Sequence, residues 1–373
     1  MEKRIQPFQL TLVITRNCNI NCVYCYEHNK DFGKMDINLA KRIVEKYLTT
    51  GDYEEVHINL FGGEPFLEFE LIKELCEWTW SRQWQKRYLF YADTNGTLIK
   101  DKIKEWTTKN KNRIWLGISL DGTRETHNMN RCNSFDKIDL DFFQENWPQQ
   151  AIKMTITDKN LSSLANDMIF IHEKGFKIGG CNFAEGIDIQ DFDENIKIIG
   201  EQLFRLVDYY LEHQEIEISP LLNMRLDFCE KCNDKRKKRC GIGESTMVVI
   251  DIDGKTYPCT FFSSLSLSEE QLSEINNMNL SDTDIFIDKE CYDNCYLFPI
   301  CHCCYGDNYT KTGILAKRSA QKCELIKLRA LICANYHARK ILQNKNQEAI
   351  TSKEVMTINA IQKINKLFGE NIE

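Results

Sequence analysis

Cys18-Asn19-Ile20-Asn21-Cys22-Val23-Tyr24-Cys25 puts three thiols in one short loop, with a gap of three residues and then of two. Thiolates at such loop spacings are how iron–sulfur clusters are held. A cubic cluster has four irons and this loop supplies three thiolates, so one iron stays open to bind and activate a second molecule. A zinc knuckle would want a fourth Cys or His close by. Only His28 is near, which leaves iron as the stronger reading.

The residues around the loop alternate between strand and helix. Gln9 to Thr15 is an apolar, β-branched run that leads into it. Asp36-Ile37-Asn38 then opens a helix, with Ile43, Val44, Tyr47 and Leu48 at helical spacing. Strands are expected at Val56 to Phe61, Arg87 to Ala92, Ile114 to Ser119, Ile152 to Ile156 and Lys177 to Phe183. Helices are expected at Leu71 to Trp84, Ile99 to Thr107 and Leu161 to Lys174. Strands separated by helical segments imply parallel βαβ units. Six strands are too few for a closed eight-stranded barrel, so the expected class is α/β, a partial (β/α)6 TIM-like barrel. Chemistry on such folds sits at the C-terminal ends of the strands.

Composition narrows the function. The chain has 373 residues and a formal net charge of -7, with a pI near 5.7. Duplex binding needs clustered positive charge, so a nucleic-acid partner is not expected. No apolar run of membrane-spanning length appears and the first residues have no apolar signal core, so no membrane partner and a cytoplasmic location are expected. Seventeen cysteines in that compartment are not a disulfide framework. They group at 18–25, 229–259 and 291–323, which reads as metal ligation. Cys76, Cys132, Cys181 and Cys333 are scattered and read as small core hydrophobes.

Phe61-Gly62-Gly63-Glu64-Pro65 follows the second expected strand. Its glycines permit close backbone approach to a ligand and the proline stiffens the exit. Asp93-Thr94-Asn95-Gly96 ends the third strand, and Ser119-Leu120-Asp121-Gly122 ends the fourth, ahead of His127 and Arg131. Together with the cysteine loop and its Tyr24, these elements resemble the radical S-adenosylmethionine superfamily. The resemblance implies a 4Fe-4S cluster on Cys18, Cys22 and Cys25, whose open iron chelates S-adenosylmethionine. It further implies that Gly62, Gly63 and Glu64 line the amino group of the methionine moiety. Ser119 would hydrogen-bond the ribose or the carboxylate, and Arg131 would pair with the carboxylate. Tyr24 and Asn95 join them around the cofactor. The superfamily's peptide-modifying members usually have Asp after the histidine, where this chain has Asn128.

Further along, Cys240 precedes Gly254 and Cys259, with a strand from Thr246 to Asp251 and an Asp253-Gly254 hairpin turn between them. Then come Cys291, Cys295, Cys301, Cys303, Cys304 and Cys323. This order resembles the SPASM extension of radical S-adenosylmethionine enzymes, which holds one or two auxiliary 4Fe-4S clusters. By that resemblance Cys291, Cys295, Cys301 and Cys323 hold an outer cluster. Cys240, Cys259 and one of Cys303 or Cys304 hold an inner one, whose fourth ligand is Cys229, Cys232 or a substrate thiolate.

The expected organisation is a barrel over 1–215, a bridging segment over 216–239, the auxiliary-cluster domain over 240–345 and an amphipathic helix over 346–373, with Val355, Ile358, Ile361, Ile364 and Leu367 as its stripe. The five cations Lys235 to Arg239 read first as a solvated run and second as a steering patch for an acidic peptide. The resemblance implies an oxidoreductase that abstracts hydrogen from a ribosomally made precursor peptide and installs a thioether or C–C cross-link. The rival is an anaerobic sulfatase-maturing enzyme, which makes an aldehyde and carries Asp after its Tyr-Pro-Cys. Here Tyr257-Pro258-Cys259 is followed by Thr260, which takes no proton at neutral pH. An iron–sulfur electron carrier is a third, remote reading, with no use for a nucleoside pocket. Implied partners are the precursor peptide and an electron donor such as flavodoxin or ferredoxin; with few residues ahead of the first strand, leader binding is expected to fall to a separate leader-binding protein, the basic run or an exposed edge strand.

Overall fold

The computed structural model describes residues 7–230, 240–244, 246–344 and 350–369. In chain order it begins β1 (Phe8–Thr15), α1 (Ile37–Thr49), β2 (Glu55–Gly62), α2 (Phe69–Trp80), β3 (Arg87–Thr94), α3 (Asp101–Lys109) and β4 (Ile114–Ile118). There follow α4 (Arg124–Asn130), α5 (Leu140–Asn146), β5 (Ile152–Ile156), α6 (Leu164–Glu173), β6 (Ile178–Phe183) and α7 (Phe192–Glu212). The remainder is β7 (Met247–Ile250), β8 (Thr256–Tyr257), α8 (Glu269–Asn276), α9 (Lys289–Asn294), α10 (Tyr305–Thr312), α11 (Ala320–Asn344) and α12 (Ser352–Phe368). The expected α/β class stands, with all six strands in the expected order.

The chain separates into two compact, discontinuous units. The first comprises Met1–Leu120, His127–Lys153 and Cys240–Asp282. Its sheet runs β4-β3-β2-β1-β7-β8. β1 lies inside it, buried at every position but Gln9, as a parallel strand covered on both faces must be. It pairs in parallel with β2 from Phe8↔Val56 to Val13↔Phe61, and with β7 from Gln9↔Met247 to Leu12↔Ile250. β8 closes an antiparallel hairpin on β7. An isolated parallel bridge, Ser119↔Lys153, continues the pairing past β4. Helix α1 starts where Asp36 accepts from the Leu39 amide, and it buries Ala40, Ile43, Val44 and Leu48 on one stripe.

The second unit comprises Asp121–Thr126, Met154–Arg239 and Thr283–Glu373. Its β5–β6 ladder is accompanied by α6, α7, α11 and α12. Of the expected boundaries, 239 coincides with a break between the units, whereas 215 and 345 fall inside the second unit; residues 240–282 belong to the first, where β7 adds to the N-terminal sheet beside β1. The sequence reading also passed over α7, whose face of Ile199, Leu203, Leu206, Val207 and Tyr210 is buried. In α12 the buried stripe is Thr357, Ala360, Ile361 and Ile364, while Val355 and Leu367 stand exposed. Residues spaced strictly by three drift about 60° per step around a helix of 3.6 residues per turn, so the expected stripe leaves the buried face at both ends. Among the described residues no helix is long and apolar enough to cross a membrane.

Candidate active site and cysteine groups

The first unit holds the N-terminal cysteine loop at the C-terminal end of β1. Arg16 fixes its base. The guanidinium donates from Nε to Asp251 Oδ1 at 3.2 Å and from Nη2 to Oδ2 at 2.7 Å, and from Nη1 to Asp31 at 3.2 Å. Asp251 is fully buried at the end of β7, ahead of the hairpin that leads to Cys259. Asn19 Nδ2 donates to Thr97 Oγ1 at 2.8 Å, and Asn19 Oδ1 accepts from Asn95 Nδ2 at 2.9 Å. The Val23 amide donates to the Asn130 carbonyl at 3.0 Å, and the Cys132 thiol to the Asn21 carbonyl at 2.8 Å. Cysteine spacing alone gave no sign of Arg16 or Asn19.

The loop lies directly on the glycine turn. A Cβ on Gly63 would sit 2.4 Å from the Asn17 carbonyl oxygen and 2.8 Å from Cys18 Cβ. Gly62 has φ +140°, and a Cβ there would sit 2.0 Å from the Thr15 oxygen. The register slip between Val13 and Thr15 is where β1 and β2 accommodate this approach. Glu64 is buried and both carboxylate oxygens are engaged: Oε1 accepts from Thr94 Oγ1 at 2.7 Å and the Phe66 amide at 3.2 Å, Oε2 from the Asn95 amide at 2.8 Å. Burial pushes its carboxyl up to about 7 against these hydrogen bonds and the Arg131 charge. Its visible task is to tie the Gly62-Gly63 turn to the Asn95 turn. Arg131 is buried with its guanidinium 5.3 Å from the Tyr24 ring centroid. Ser119 follows β4, its amide donating to the Thr94 carbonyl at 3.1 Å. His127 is fully buried with Nε2 3.0 Å from Ser134 Oγ. Thus Tyr24, Gly62, Gly63, Glu64, Asn95, Ser119 and Arg131 all lie in the first unit with Cys18, Cys22 and Cys25.

Lys30, another residue without a sequence signal, hydrogen-bonds Cys25 and lies within electrostatic reach of Cys18 and Glu27. Burial raises the Cys18 thiol, and Lys30 works against it. Cys259 and Cys240 are neighbours in the same unit, with Cys259 pushed up to about 11 by burial. Thr260 is engaged by Tyr26, whose phenol lies 3.2 Å from Thr260 Oγ1 and whose ring stacks on Phe261 at 5.0 Å.

The second unit holds the C-terminal group. Cys291, Cys295 and Cys323 lie within electrostatic reach of one another, Cys301 lies within reach of Cys295 and Cys323, and Cys303 neighbours Cys301. Burial pushes Cys291 up to about 11 and Cys301 up to about 12. Such thiols stay protonated until a metal displaces the proton. Arg318 sits among them. Its Nη2 donates to the Cys301 carbonyl at 3.3 Å, while Nε is buried with no hydrogen-bond partner among the described residues. Cys304 is half-buried in this unit and Cys229 is buried, whereas Cys232 and the basic run at 235–239 lie outside the described residues. Among the described residues no three His, Cys, Asp or Glu side chains converge as a single ion would need. In a cubic cluster each thiolate meets its own iron, so convergence on one point is not the relevant test.

Residues 12–139 match the family model described as radical SAM superfamily, and the chain carries a radical SAM domain. It is 27% identical over 328 residues to a cysteine-type anaerobic sulfatase-maturating enzyme of Clostridium novyi, covering 76% of this chain and 84% of the relative. The solved structure of native anSMEcpe with bound AdoMet superposes with a TM-score of 0.69 at 19% identity, covering 92% of this chain and all of that one. Streptococcus suis SuiB bound to precursor peptide SuiA gives 0.57 at 18% identity, over 85% of this chain and 76% of that one. The fold is that of these enzymes.

Proposed function

We propose that this chain is a radical S-adenosylmethionine oxidoreductase acting in peptide or sulfatase maturation, with Cys18, Cys22 and Cys25 holding a 4Fe-4S cluster beside S-adenosylmethionine. The carrying observation is the cysteine loop seated on Gly62-Gly63, where the backbone leaves no room for a Cβ. When bound, the cluster and S-adenosylmethionine supply a radical that removes hydrogen from an unactivated C–H bond. The chain's own residues bind and orient. Gly62 and Gly63 let the backbone approach the methionine amine, with Glu64 bracing that turn through Thr94 and Asn95. Arg131, held over Tyr24, offers its guanidinium to the methionine carboxylate, and Ser119 and Asn95 serve the nucleoside side. Cys291, Cys295, Cys301 and Cys323 would hold one auxiliary 4Fe-4S cluster. The orphaned Arg318 Nε in their midst fits an anionic group there. Cys240 and Cys259, neighbours in the first unit, would contribute to a second.

The finer reading is an oxidative cross-link, thioether or C–C, in a ribosomally made precursor peptide. It is supported by Thr260, a hydroxyl already engaged by Tyr26 where an aldehyde-forming enzyme needs a carboxylate base. A flavodoxin or ferredoxin would supply electrons. The identity to sulfatase-maturating enzymes favours the second reading, oxidation of a Cys or Ser side chain to an aldehyde. Anaerobically reconstituted protein with dithionite and S-adenosylmethionine should release 5′-deoxyadenosine; none released sinks the class. Co-expression with a small peptide encoded beside this chain should give a product lacking two hydrogens and inert to hydrazide. A hydrazide adduct selects the aldehyde instead.

A further inference from the structure

The loop between α10 and α11 carries Arg318 into the middle of the C-terminal cysteines. The guanidinium lies within electrostatic reach of Cys301, Cys303 and Cys291, and of the Tyr305 ring hydroxyl. One hydrogen bond anchors it, from Nη2 to the Cys301 carbonyl. A buried guanidinium donor without an acceptor is costly, since desolvation is not repaid. Such groups are few in native structures and each calls for an explanation, a bound partner among them. Two further cations reach these thiols: Lys327, half-buried with its ammonium 2.7 Å from Glu324, and Arg329, whose Nε and Nη2 donate to the Leu221 and Pro220 carbonyls at 2.9 and 3.2 Å.

We propose that Arg318 is the charge-compensating hydrogen-bond donor of the auxiliary cluster on Cys291, Cys295, Cys301 and Cys323, and that it raises that cluster's reduction potential. The inference rests on the auxiliary-cluster reading above. A fixed positive charge in a low-dielectric pocket stabilises the more negative, reduced form. Hydrogen bonds to the sulfurs of a cluster act in the same direction, and net charge and solvent exposure set the rest. Arg318 is thus a positioning and tuning residue rather than a ligand. Its planar fork holds Nη2 on the Cys301 carbonyl and leaves the buried Nε a further donor, an arrangement an ammonium cannot copy.

The test uses full-length, anaerobically reconstituted protein. Iron is counted, and the auxiliary cluster's midpoint is measured by a redox titration followed by electron paramagnetic resonance. With Arg318→Gln, iron content should hold while the reduced-to-oxidised ratio at fixed poise falls about tenfold, a shift of 59 mV for a one-electron couple. Arg318→Lys should fall between the two, since it keeps charge and loses the Nε donor. An Arg318→Gln protein with full iron and an unmoved midpoint overturns the proposal. Should Arg318→Gln lose the cluster, Arg318→Lys carries the decision: a displaced midpoint supports the proposal and an unmoved one overturns it. Wild-type protein that takes up only about four irons in all overturns the auxiliary-cluster reading and this inference with it. That outcome is distinct from a cluster that assembles and ignores Arg318.

Discussion

The two cysteine regions use one element of chemistry and are built in opposite ways. Cys18, Cys22 and Cys25 come from one loop, clamped from several sides by strand-end residues: Arg16 to Asp251, Asn19 to Asn95 and Thr97, and the glycine turn beneath. Cys291, Cys295, Cys301 and Cys323 arrive on α9, its flanking turns and the start of α11, with an arginine between them. A region whose ligands are local in sequence needs rigidity from its scaffold. A region whose ligands are dispersed needs a central group to offset like charge. On the proposed reading, equal ligand chemistry imposes different demands on the neighbours.

The largest way to sharpen that contrast is Cys22→Ala. It should abolish 5′-deoxyadenosine release and remove about four irons while the C-terminal irons stay; retained turnover would break the comparison at its root. Next comes Gly63→Ala, whose Cβ meets the Asn17 backbone and the Cys18 Cβ. Displacing the loop should cut turnover roughly a hundredfold with auxiliary iron unchanged, read from 5′-deoxyadenosine rates. A third variant, Arg16→Gln, leaves Asp251 buried without its cation. The apo-protein should lose about 3 kcal/mol by urea titration. If the midpoint does not move, Arg16 is no clamp.

The pH response should differ between the units. Burial holds the Glu64 carboxyl at about 7 against an ordinary 4.5, so the folded chain keeps a proton that the unfolded chain releases. That contribution is full below pH 4.5 and is lost as pH rises towards 7, at about 1.4 kcal/mol per unit at most. His172 runs the other way. Burial lowers it below 6.5, with its ring nitrogens held by the Phe176 carbonyl and Tyr210 hydroxyl. Its contribution is present above pH 6.5 and declines as pH falls. Urea midpoints of the apo-protein across pH should flatten for Glu64→Gln on the first limb and for His172→Gln on the second. Smallest of all, Gly200→Ala in α7 adds a Cβ 3.6 Å from Leu328, an ordinary contact. It should gain up to about 1 kcal/mol, against the damage expected at Gly63.

Much of the candidate site was legible because its residues are neighbours in the chain. The thiol spacing, the Gly62-Gly63 pair and the turns at Asn95 and Ser119 announce themselves locally. The strands β1 to β6 did so through runs of β-branched and apolar residues. Helix α7 did not register, although its buried face has helical period, because its first turns are rich in charge. The expected stripe on α12 has a spacing of three, which leaves a face of 3.6-residue period at Val355 and Leu367.

Sequence by itself nominated the candidate residues: three thiols in a loop, a glycine pair after the second strand and a second set of cysteines far along the chain. Only the tertiary structure decided who serves them. Arg16 finds Asp251 across more than half the chain, Asn19 finds Asn95, and Arg318 finds Cys301. It also decided that β7 belongs beside β1, a pairing no local pattern encodes. The reason is physical: ligand spacing is a property of short chain segments, whereas charge compensation and strand pairing depend on which distant segments the fold brings within a few ångströms.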